Sequence, residues 1–393
     1  MSSASAPALP PGFSAYVANL GIKDETPDFV VVAADRTCAA AGVFTRSRFS
    51  GPSVVVSREH IADHALRAVV VISKNANVAT GAIGMANTRE VVARVAASLR
   101  CDERDVAIAS TGVIGRQYPM HRVREGLSTW ADGVTLFEGT SAQDVATAIM
   151  TTDTVAKVAS AQVEGSGVTV VGVAKGVGMI EPDMATLITL MFTDAEIAPD
   201  DLDQVFRRVI DRTFNCVSVD TDTSTSDTAI AMASGRGGPV DLQAFEVALG
   251  EVALSLTKQV ARDGEGAQTL IEVRVDGARN DAQAKRVAKA VVNSPLVKTA
   301  VHGADPNWGR VAMAIGKCSD DTDIDEAAVI IRFGSRECYP HQLDDAGLAE
   351  LSDYLRNDDV VIHISLGIGT GHAAVWGCDL TDGYVRINAD YTT

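Results

Sequence analysis

One segment in the middle of the chain constrains its fold most, because it joins an irregular turn directly to an apolar run. Residues 175–190 read Lys-Gly-Val-Gly-Met-Ile-Glu-Pro-Asp-Met-Ala-Thr-Leu-Ile-Thr-Leu. The ring of Pro182 crowds Glu181, which restricts that residue to extended or turn conformations. The run 187–190 has the β-branched, apolar composition of a buried strand. Thr186 is therefore predicted to lie where the turn enters a core strand.

Two interpretations of Thr186 fit this pattern. In the first, the threonine closes a turn and starts a strand. In the second, it is a nucleophile that becomes a new amino terminus when the Ala185–Thr186 bond is cut, for example by attack of its own hydroxyl on the Ala185 carbonyl. A threonine hydroxyl needs a neighbouring base, and the α-amine of an amino-terminal threonine can supply one, because its pKa is roughly 7.7–8. The segment alone leaves both interpretations open.

Composition excludes several classes of protein. The chain has 393 residues, which is enough for two or more lobes. A formal net charge of −17 argues against a nucleic-acid partner, which would require a basic face. No apolar run reaches the roughly 18–20 residues of a membrane span, so no membrane partner is expected. The small, polar start at 1–12 resembles a loose tail rather than a signal peptide, and the scattered cysteines fit buried thiols, so a cytoplasmic protein is expected.

No cofactor or metal is predicted. His60 and His64 have the spacing of two ligands on one helix face, but no third ligand accompanies them. The glycine patterns at 263–266 and 367–371 lack the strand–turn–helix order of a dinucleotide site, and the second is predicted to be a hairpin turn. The run 220–228 is rich in Asp, Ser and Thr and is predicted to be a hydrogen-bonded turn network, because the EF-hand spacing is missing.

The secondary-structure pattern indicates an α+β protein. Short β-branched runs and amphipathic helices follow one another without a strict βαβ alternation, which favours a layered αβ sandwich over a Rossmann fold or a barrel. A hairpin is predicted around 165–167. Strands are predicted at 29–33, 42–45, 53–57, 68–72, 105–109, 187–190, 216–219 and 270–275, and helices at 85–99, 141–150, 199–214, 244–262 and 281–292.

A second feature suggests chemistry. The predicted strand 105–109 leads into Ser110-Thr-Gly112. A hydroxyl followed by a glycine N–H at a strand end can direct two donors at one point. Two such donors suit an oxyanion if they lie about 3 Å from the place where negative charge develops.

Taken together, six segments resemble the ornithine acetyltransferase family, also called the glutamate N-acetyltransferases. The resemblance covers nearly the whole chain in order, and its most specific part is the Met-Ala-Thr centre after Glu-Pro-Asp. The chain is especially similar to the type linked to clavulanic acid gene clusters, although members of the arginine pathway share the same motifs. The segments are 109–115, 150–154, 175–190, 220–228, 302–310 and 391–393.

The resemblance implies a fold and an activity. Members are made as one precursor that cuts itself, which here would give an α chain of residues 1–185 and a β chain of residues 186–393. The two chains stay together and pair into an (αβ)2 heterotetramer. The fold is a layered αβ sandwich reminiscent of the N-terminal nucleophile hydrolases, with different connectivity. The enzyme transfers acetyl reversibly between N2-acetyl-L-ornithine and L-glutamate, by ping-pong through an acetyl-threonine and without a cofactor.

The resemblance also assigns roles to residues. Thr186 would be the nucleophile and, through its amine, the base, while the Thr111 hydroxyl and the Gly112 N–H would hold the oxyanion. Lys175 suits a substrate carboxylate, and Glu265 would face the cationic side chain of ornithine. The residues expected to bind substrate are Thr152, Lys175, Thr186, Glu265, Asn388 and Thr393.

Two other functions remain open at this level. A related amidohydrolase or aminopeptidase would use water as the acceptor in place of glutamate. A binding protein could keep the fold without turnover. The sequence also leaves open whether acetyl-CoA is a second donor, which acyl groups and acceptors are used, and whether the pathway is arginine supply or secondary metabolism.

Overall fold

A computed structural model describes residues 7–128, 130, 139, 141–181, 187–341 and 343–390. These residues form two compact units. The first comprises the described parts of Met1–Gly176, Pro182–Asn215 and Thr223–Leu256, and the second comprises Val177–Glu181, Cys216–Asp222 and the described parts of Thr257–Thr393. Each unit is built around one β-sheet.

The first unit contains an eight-stranded mixed sheet. Along the sheet the strands follow the order β4-β3-β2-β8-β7-β6-β5, and β1 also pairs with β2. The β3–β4 and β7–β8 pairs are parallel, whereas β6–β7 and β2–β8 are antiparallel. The strands are β1 Phe13–Ala18, β2 Phe29–Phe44, β3 Ala65–Ile72, β4 Val106–Ser110, β5 Lys157–Gln162, β6 Thr169–Lys175, β7 Ile188–Glu196 and β8 Thr228–Pro239.

Helices cover the first sheet because its central strands are apolar on both faces. Residues that alternate along β2, such as Val30 and Val31, belong to two separate hydrophobic clusters. One cluster includes α4, and the other includes α2 and α3. The helices are α1 Pro52–His60, α2 Gly81–Leu99, α3 Met120–Ser128, α4 Ala142–Ala148, α5 Pro199–Arg212 and α6 Leu242–Arg262, most of which belongs to this unit.

Three predicted strands in this unit need correction. The predicted strands 29–33 and 42–45 are the two ends of β2, which changes its partner along its length and has an irregular register between Ala33 and Cys38. The predicted strand 53–57 is wrong, because those residues form α1. Pro52 suits the first turn of a helix, and the buried Ser57 hydroxyl bonds both backbone groups of Ile108 in β4. Packing on the sheet therefore outweighs the β-propensity of the three valines.

The second unit contains a five-stranded sheet in the order β11-β10-β12-β9-β13. The strands are β9 Leu270–Ala278, β10 Ile330–Phe333, β11 Arg336–Tyr339, β12 Asp359–Ser365 and β13 Gly371–Cys378. The helices are α7 Asp281–Val292, α8 Pro295–His302, α9 Trp308–Gly316, α10 Asp345–Leu355 and α11 Asp382–Asp390. The predicted helix 281–292 is confirmed with its bounds, and the Asn280 side chain caps it by accepting from Gln283 N.

Two predictions in the second unit are wrong. Gly367–Gly371 is not a hairpin turn, because β12 and β13 lie on opposite sides of β9 and do not pair with each other. Residues 216–219 do not form a strand. Cys216 ends a short 3-10 helix, and the following backbone bonds two different segments, Ser218 N to Trp376 O at 2.8 Å and Val219 N to Ile180 O at 2.7 Å.

The α+β class that the sequence predicts is confirmed, since both sheets are mixed and both units contain helices. In the described part of the chain, no helix is both long enough and apolar enough to cross a bilayer. Among the same residues, no group of three His, Cys, Asp or Glu side chains could hold a metal ion. His60, one of the two histidines at ligand spacing, has its Nδ1 2.9 Å from the Val106 carbonyl oxygen, which is within hydrogen-bond distance.

Candidate active site

The carboxyl end of β4 holds the predicted oxyanion residues. Thr111 follows the last residue of β4, and its N–H bonds the Ile72 carbonyl at 3.1 Å, which continues the parallel ladder between β3 and β4. Ser110 is buried, and its hydroxyl bonds the Tyr118 hydroxyl. Burial raises the pKa of Tyr118 to about 12. These contacts fix the backbone from which Thr111 and Gly112 project.

Gly112 is required by its backbone and by close packing. Its φ of +124° lies in the region that side chains rarely adopt, and a Cβ there would lie 2.2 Å from the backbone carbon of Lys74. No hydrogen bond to the Gly112 N–H is present among the described residues. The Gly112 N–H can therefore donate to another group.

Lys175, the last residue of β6, lies beside Thr111. Its Nζ donates to Thr111 Oγ1 at 3.1 Å and lies 4.0 Å from Asp153 Oδ2. Because the Thr111 hydroxyl oxygen accepts from Lys175, its proton can be donated elsewhere. The predicted residues Thr111, Gly112 and Lys175 are thus brought together in the first unit, where Lys175 adds a positive charge.

Asp153 anchors this group, although its segment, 150–154, does not by itself indicate such a role. Its carboxylate is completely buried and accepts from Lys157 Nζ at 2.8 Å, from Gly176 N at 2.7 Å and from Thr151 N at 3.0 Å. Burial alone would raise the pKa of Asp153, but the charges of Lys175 and Lys157 outweigh burial and lower the pKa to about 2. Asp153 is therefore ionised at neutral pH, and it fixes the segment that carries the exposed residue Thr152.

The strands next to Lys175 position the residues around the predicted nucleophile. Lys175 pairs with Ile188 at the start of β7, and Ile188 pairs with Thr228 at the start of β8. Thr186 and Ala185 lie outside the described residues. Leu187, which follows Thr186 in the chain, is described, and its carbonyl accepts from Thr228 N at 2.9 Å. The predicted strand after Thr186 is confirmed, since β7 begins at Ile188.

Asp227 precedes β8 and is completely buried. Burial raises the pKa of its carboxyl well above the usual range, although hydrogen bonds from Ser224, Thr45 and the Leu187 N–H and the charge of Lys175 act in the opposite direction. This carboxyl therefore favours its neutral form. Asp227 belongs to the predicted turn network at 220–228, and through it this network contacts Leu187, the residue that follows Thr186.

In the second unit, Glu265 and Asn388 are brought together. Asn388 in α11 donates from Nδ2 to Glu265 Oε2 at 2.9 Å, and Glu265 N donates to the Val177 carbonyl at 2.9 Å. Gly266 has a φ of +72°, and a Cβ on it would lie 2.5 Å from Tyr384 N, so only glycine allows α11 to come this close. Thr393, the remaining predicted substrate residue, lies outside the described residues.

The surroundings of Glu265 are negatively charged. Burial raises the pKa of Tyr384 to about 12, and the nearby carboxylates of Asp220, Glu265 and Asp222 act in the same direction. Asp220 is held by the N–H groups of Met179 and Ile180, at 2.6 and 2.7 Å. A negative potential of this kind favours a cationic ligand.

Comparison with known proteins gives one consistent result. The model of the ArgJ family matches residues 14–393. The glutamate N-acetyltransferase Oat2 of Streptomyces clavuligerus is 57% identical to this chain in an alignment of 397 positions that covers 99% of each chain. The arginine biosynthesis bifunctional protein ArgJ 2 of Nostoc sp. is 53% identical over 391 residues and covers both chains completely. A crystal structure of the arginine biosynthesis bifunctional protein argJ from Bacillus halodurans also matches, with 41% sequence identity and a TM-score of 0.47. The match covers 50% of this chain and 96% of the Bacillus halodurans chain.

Proposed function

The chain belongs to the ArgJ family, and from that premise we propose that it is a glutamate N-acetyltransferase that moves acetyl reversibly between N2-acetyl-L-ornithine and L-glutamate. The observation that carries this proposal is the arrangement at the end of β4. There a threonine hydroxyl and a glycine N–H, both able to donate, lie next to the buried cation of Lys175. Two donors beside one cation suit a reaction in which a carbonyl oxygen becomes negative while a carboxylate is held.

The proposed reaction has two symmetrical halves. The Thr186 hydroxyl attacks the acetyl carbonyl of N2-acetylornithine, and the Thr186 α-amine takes the hydroxyl proton. The carbon–nitrogen bond breaks, the amine returns the proton to the departing ornithine nitrogen, and an acetyl ester remains on Thr186. The amino group of glutamate then attacks this ester by the reverse sequence. In both halves Thr111 and Gly112 stabilise the tetrahedral oxyanion.

The proposal includes self-cleavage between Ala185 and Thr186. Strands on both sides of this bond belong to one sheet, which supports an α chain (1–185) and a β chain (186–393) that stay together after cutting. Residues 170–175 of β6 pair with 188–193 of β7, and residues 39–44 of β2 pair with 228–233 of β8. These ladders lie inside the sheet rather than at its edge, so separation of the chains would expose buried strands.

The proposed substrate contacts follow from charge. Lys175 lies beside the proposed oxyanion donors, which suits a role in binding the carboxylate that both amino-acid substrates carry. Thr152 would line the same pocket. The acidic surroundings of Glu265 suit the side-chain amine of ornithine, with Asn388 fixing the Glu265 carboxylate. Thr393 is proposed to complete the site.

Several finer points of the proposal come from the family resemblance. These are the (αβ)2 heterotetramer, the cytoplasmic location, a role in clavulanic acid biosynthesis and the likeness to N-terminal nucleophile hydrolases. No cofactor is part of the proposed reaction. Arginine biosynthesis is the role that the names of the relatives indicate.

One assay separates transfer from hydrolysis. Purified protein is incubated with N2-acetylornithine, with and without glutamate, and acetylglutamate and free acetate are measured. We expect acetylglutamate to form in step with ornithine and little acetate to appear. Acetate release at a rate that glutamate does not change would favour the amidohydrolase. Absence of both products would leave only a binding protein.

Replacement of Thr111 by alanine tests the oxyanion role. Removal of one oxyanion donor lowers kcat by about 10²–10³-fold, so we expect a loss of this size in acetyl transfer. Self-cleavage should still go to completion, which intact mass measurement can check. Thr111→Ser keeps the hydroxyl and serves as the matched control, with a much smaller loss. An unchanged transfer rate in Thr111→Ala would refute the role.

A further inference from the structure

A cavity of about 810 Å³ in the first unit is lined by an unusual number of cationic side chains. It lies between the end of β2, α1 and the start of α5. Four arginines line it, Arg46, Arg48, Arg58 and Arg207. Among the residues that line it, none is predicted to take part in acetyl transfer.

The charge of this cavity contrasts with that of the whole chain. Among the described residues that line the cavity, the four arginines face one carboxylate, Asp203, which leaves a local charge of +3 even with His64 neutral. The whole chain has a formal net charge of −17. A concentration of positive charge on one cavity wall creates a local positive potential, which favours anion binding.

Two of the arginines are held in place by the protein. Arg58 donates to the Thr45 carbonyl at 2.8 Å, and its guanidinium lies 5.8 Å from the centre of the Phe44 ring. Arg207 donates to Asp203 at 2.7 Å. A guanidinium has five N–H donors, so each can still donate to a ligand. Fixed guanidinium groups lose little entropy when they bind an anion.

The other two arginines lie on an ordered turn. In this turn Ser47 N donates to Thr45 Oγ1 at 3.1 Å and Ser50 N donates to the Ser47 carbonyl at 3.2 Å. Arg48 is exposed and projects from the turn. The turn therefore carries its cations at a defined place on the cavity wall.

Two of the residues that line the cavity, His64 and Asp203, contribute buried polar atoms. His64 Nδ1 and Asp203 Oδ1 are buried and lie 3.8 Å apart, which is too far for a hydrogen bond. Neither atom has a hydrogen-bond partner in the described part of the chain. Both atoms are shielded from solvent, and a carboxylate oxygen cannot accept from an unprotonated anion, so the arginines rather than this pair favour an anionic ligand.

We propose that this cavity binds a small molecule carrying two or more adjacent negative charges, either phosphates or carboxylates. Arginine forks match both groups, because each presents paired oxygen acceptors to two N–H donors. The volume suits a small ligand rather than a macromolecule, since ligand pockets are about 300–1,000 Å³. This inference goes beyond the proposed acetyl transfer and does not depend on it.

The test uses pyrophosphate and citrate as probes. Each is titrated into the purified, complete protein by isothermal calorimetry at constant ionic strength. The variants are Arg48→Gln and the double variant Arg48→Gln/Arg207→Gln. Arg116→Gln, an exposed arginine outside the cavity, is the matched control. Loss of one charge-assisted contact should weaken binding by about tenfold to a hundredfold in Arg48→Gln and more in the double variant.

The outcomes decide both the site and its ligand. Binding of pyrophosphate that depends on Arg48 supports a phosphate ligand, and binding of citrate alone supports a carboxylate ligand. Acetyl transfer without probe should be unchanged in Arg48→Gln, which shows that the variant is folded. Failure of both probes to bind would overturn the proposal. So would binding that Arg48→Gln and Arg116→Gln change equally.

Discussion

Replacement of Thr186 by alanine should leave the protein as one uncut chain of 393 residues without acetyl transfer activity. Loss of the hydroxyl removes both the group that attacks the Ala185 carbonyl and the group that accepts acetyl. Removal of the nucleophile from an enzyme that forms a covalent acyl intermediate lowers kcat by about 10⁶-fold, and here we expect a loss of at least about 10⁴-fold. Intact mass and the rate of acetylglutamate formation measure the two effects.

Thr186→Ser is the matched control for this experiment. Serine keeps a hydroxyl and, after cutting, an α-amine, so the serine variant should still cut and transfer, only more slowly. Ordinary activity in an uncut Thr186→Ala chain would contradict the account, because some other group would then have to attack.

Replacement of Asp153 by asparagine should be the most destabilising of the substitutions considered. The side chains of Asp153 and Lys157 are both completely buried, with Nζ and Oδ1 2.8 Å apart, and removal of the carboxylate takes this counter-charge away from the buried Lys157 cation. Such a loss costs about 3–5 kcal/mol. The unfolding free energy is best measured by urea titration in the Thr186→Ala background, where one uncut chain unfolds. In the processed enzyme transfer should also fall, because Lys175 loses the carboxylate 4.0 Å away.

Asp320→Asn, at an exposed position, provides the control and should change stability by less than about 0.5 kcal/mol.

The effect of Asp153 should also depend on pH. The pKa of Asp153 falls from the ordinary 3.8 to about 2 on folding, so the folded state binds its proton less tightly. Its contribution to stability is therefore complete above pH 3.8 and is lost as the pH falls towards 2. Equal losses of unfolding free energy in Asp153→Asn and Asp320→Asn at pH 7 would refute the role of the buried Asp153–Lys157 pair.

Strong periodicity made much of the fold predictable from sequence. The helix predicted at 281–292 has the same bounds in the structure, where the Asn280 side chain caps it. The family resemblance is also confirmed. The run 53–57 was not predictable in this way, because its three valines favour a strand by themselves. In the structure those residues form a helix that begins at Pro52 and packs on β4 through the Ser57 hydroxyl.

The candidate site was predictable where a motif carried it. The segments that contain Thr111 and Lys175 predict their roles at the site, and in the structure Lys175 Nζ lies 3.1 Å from Thr111 Oγ1. Asp153 was missed, although it lies in a motif that was noted, since its importance comes from burial between Lys157 and Lys175. Asp227 was missed for the same reason, because a run of Asp, Ser and Thr looks like an exposed turn until its burial is known.

The most direct test concerns the covalent intermediate. Purified protein is mixed with N2-acetylornithine in the absence of glutamate, quenched in acid and weighed by mass spectrometry. We expect two chains, of which the one beginning at Thr186 is heavier by one acetyl group, and we expect added glutamate to remove that group. Fully active protein in which the Ala185–Thr186 amide is still intact, or in which the acetyl group lies on another residue, would contradict it.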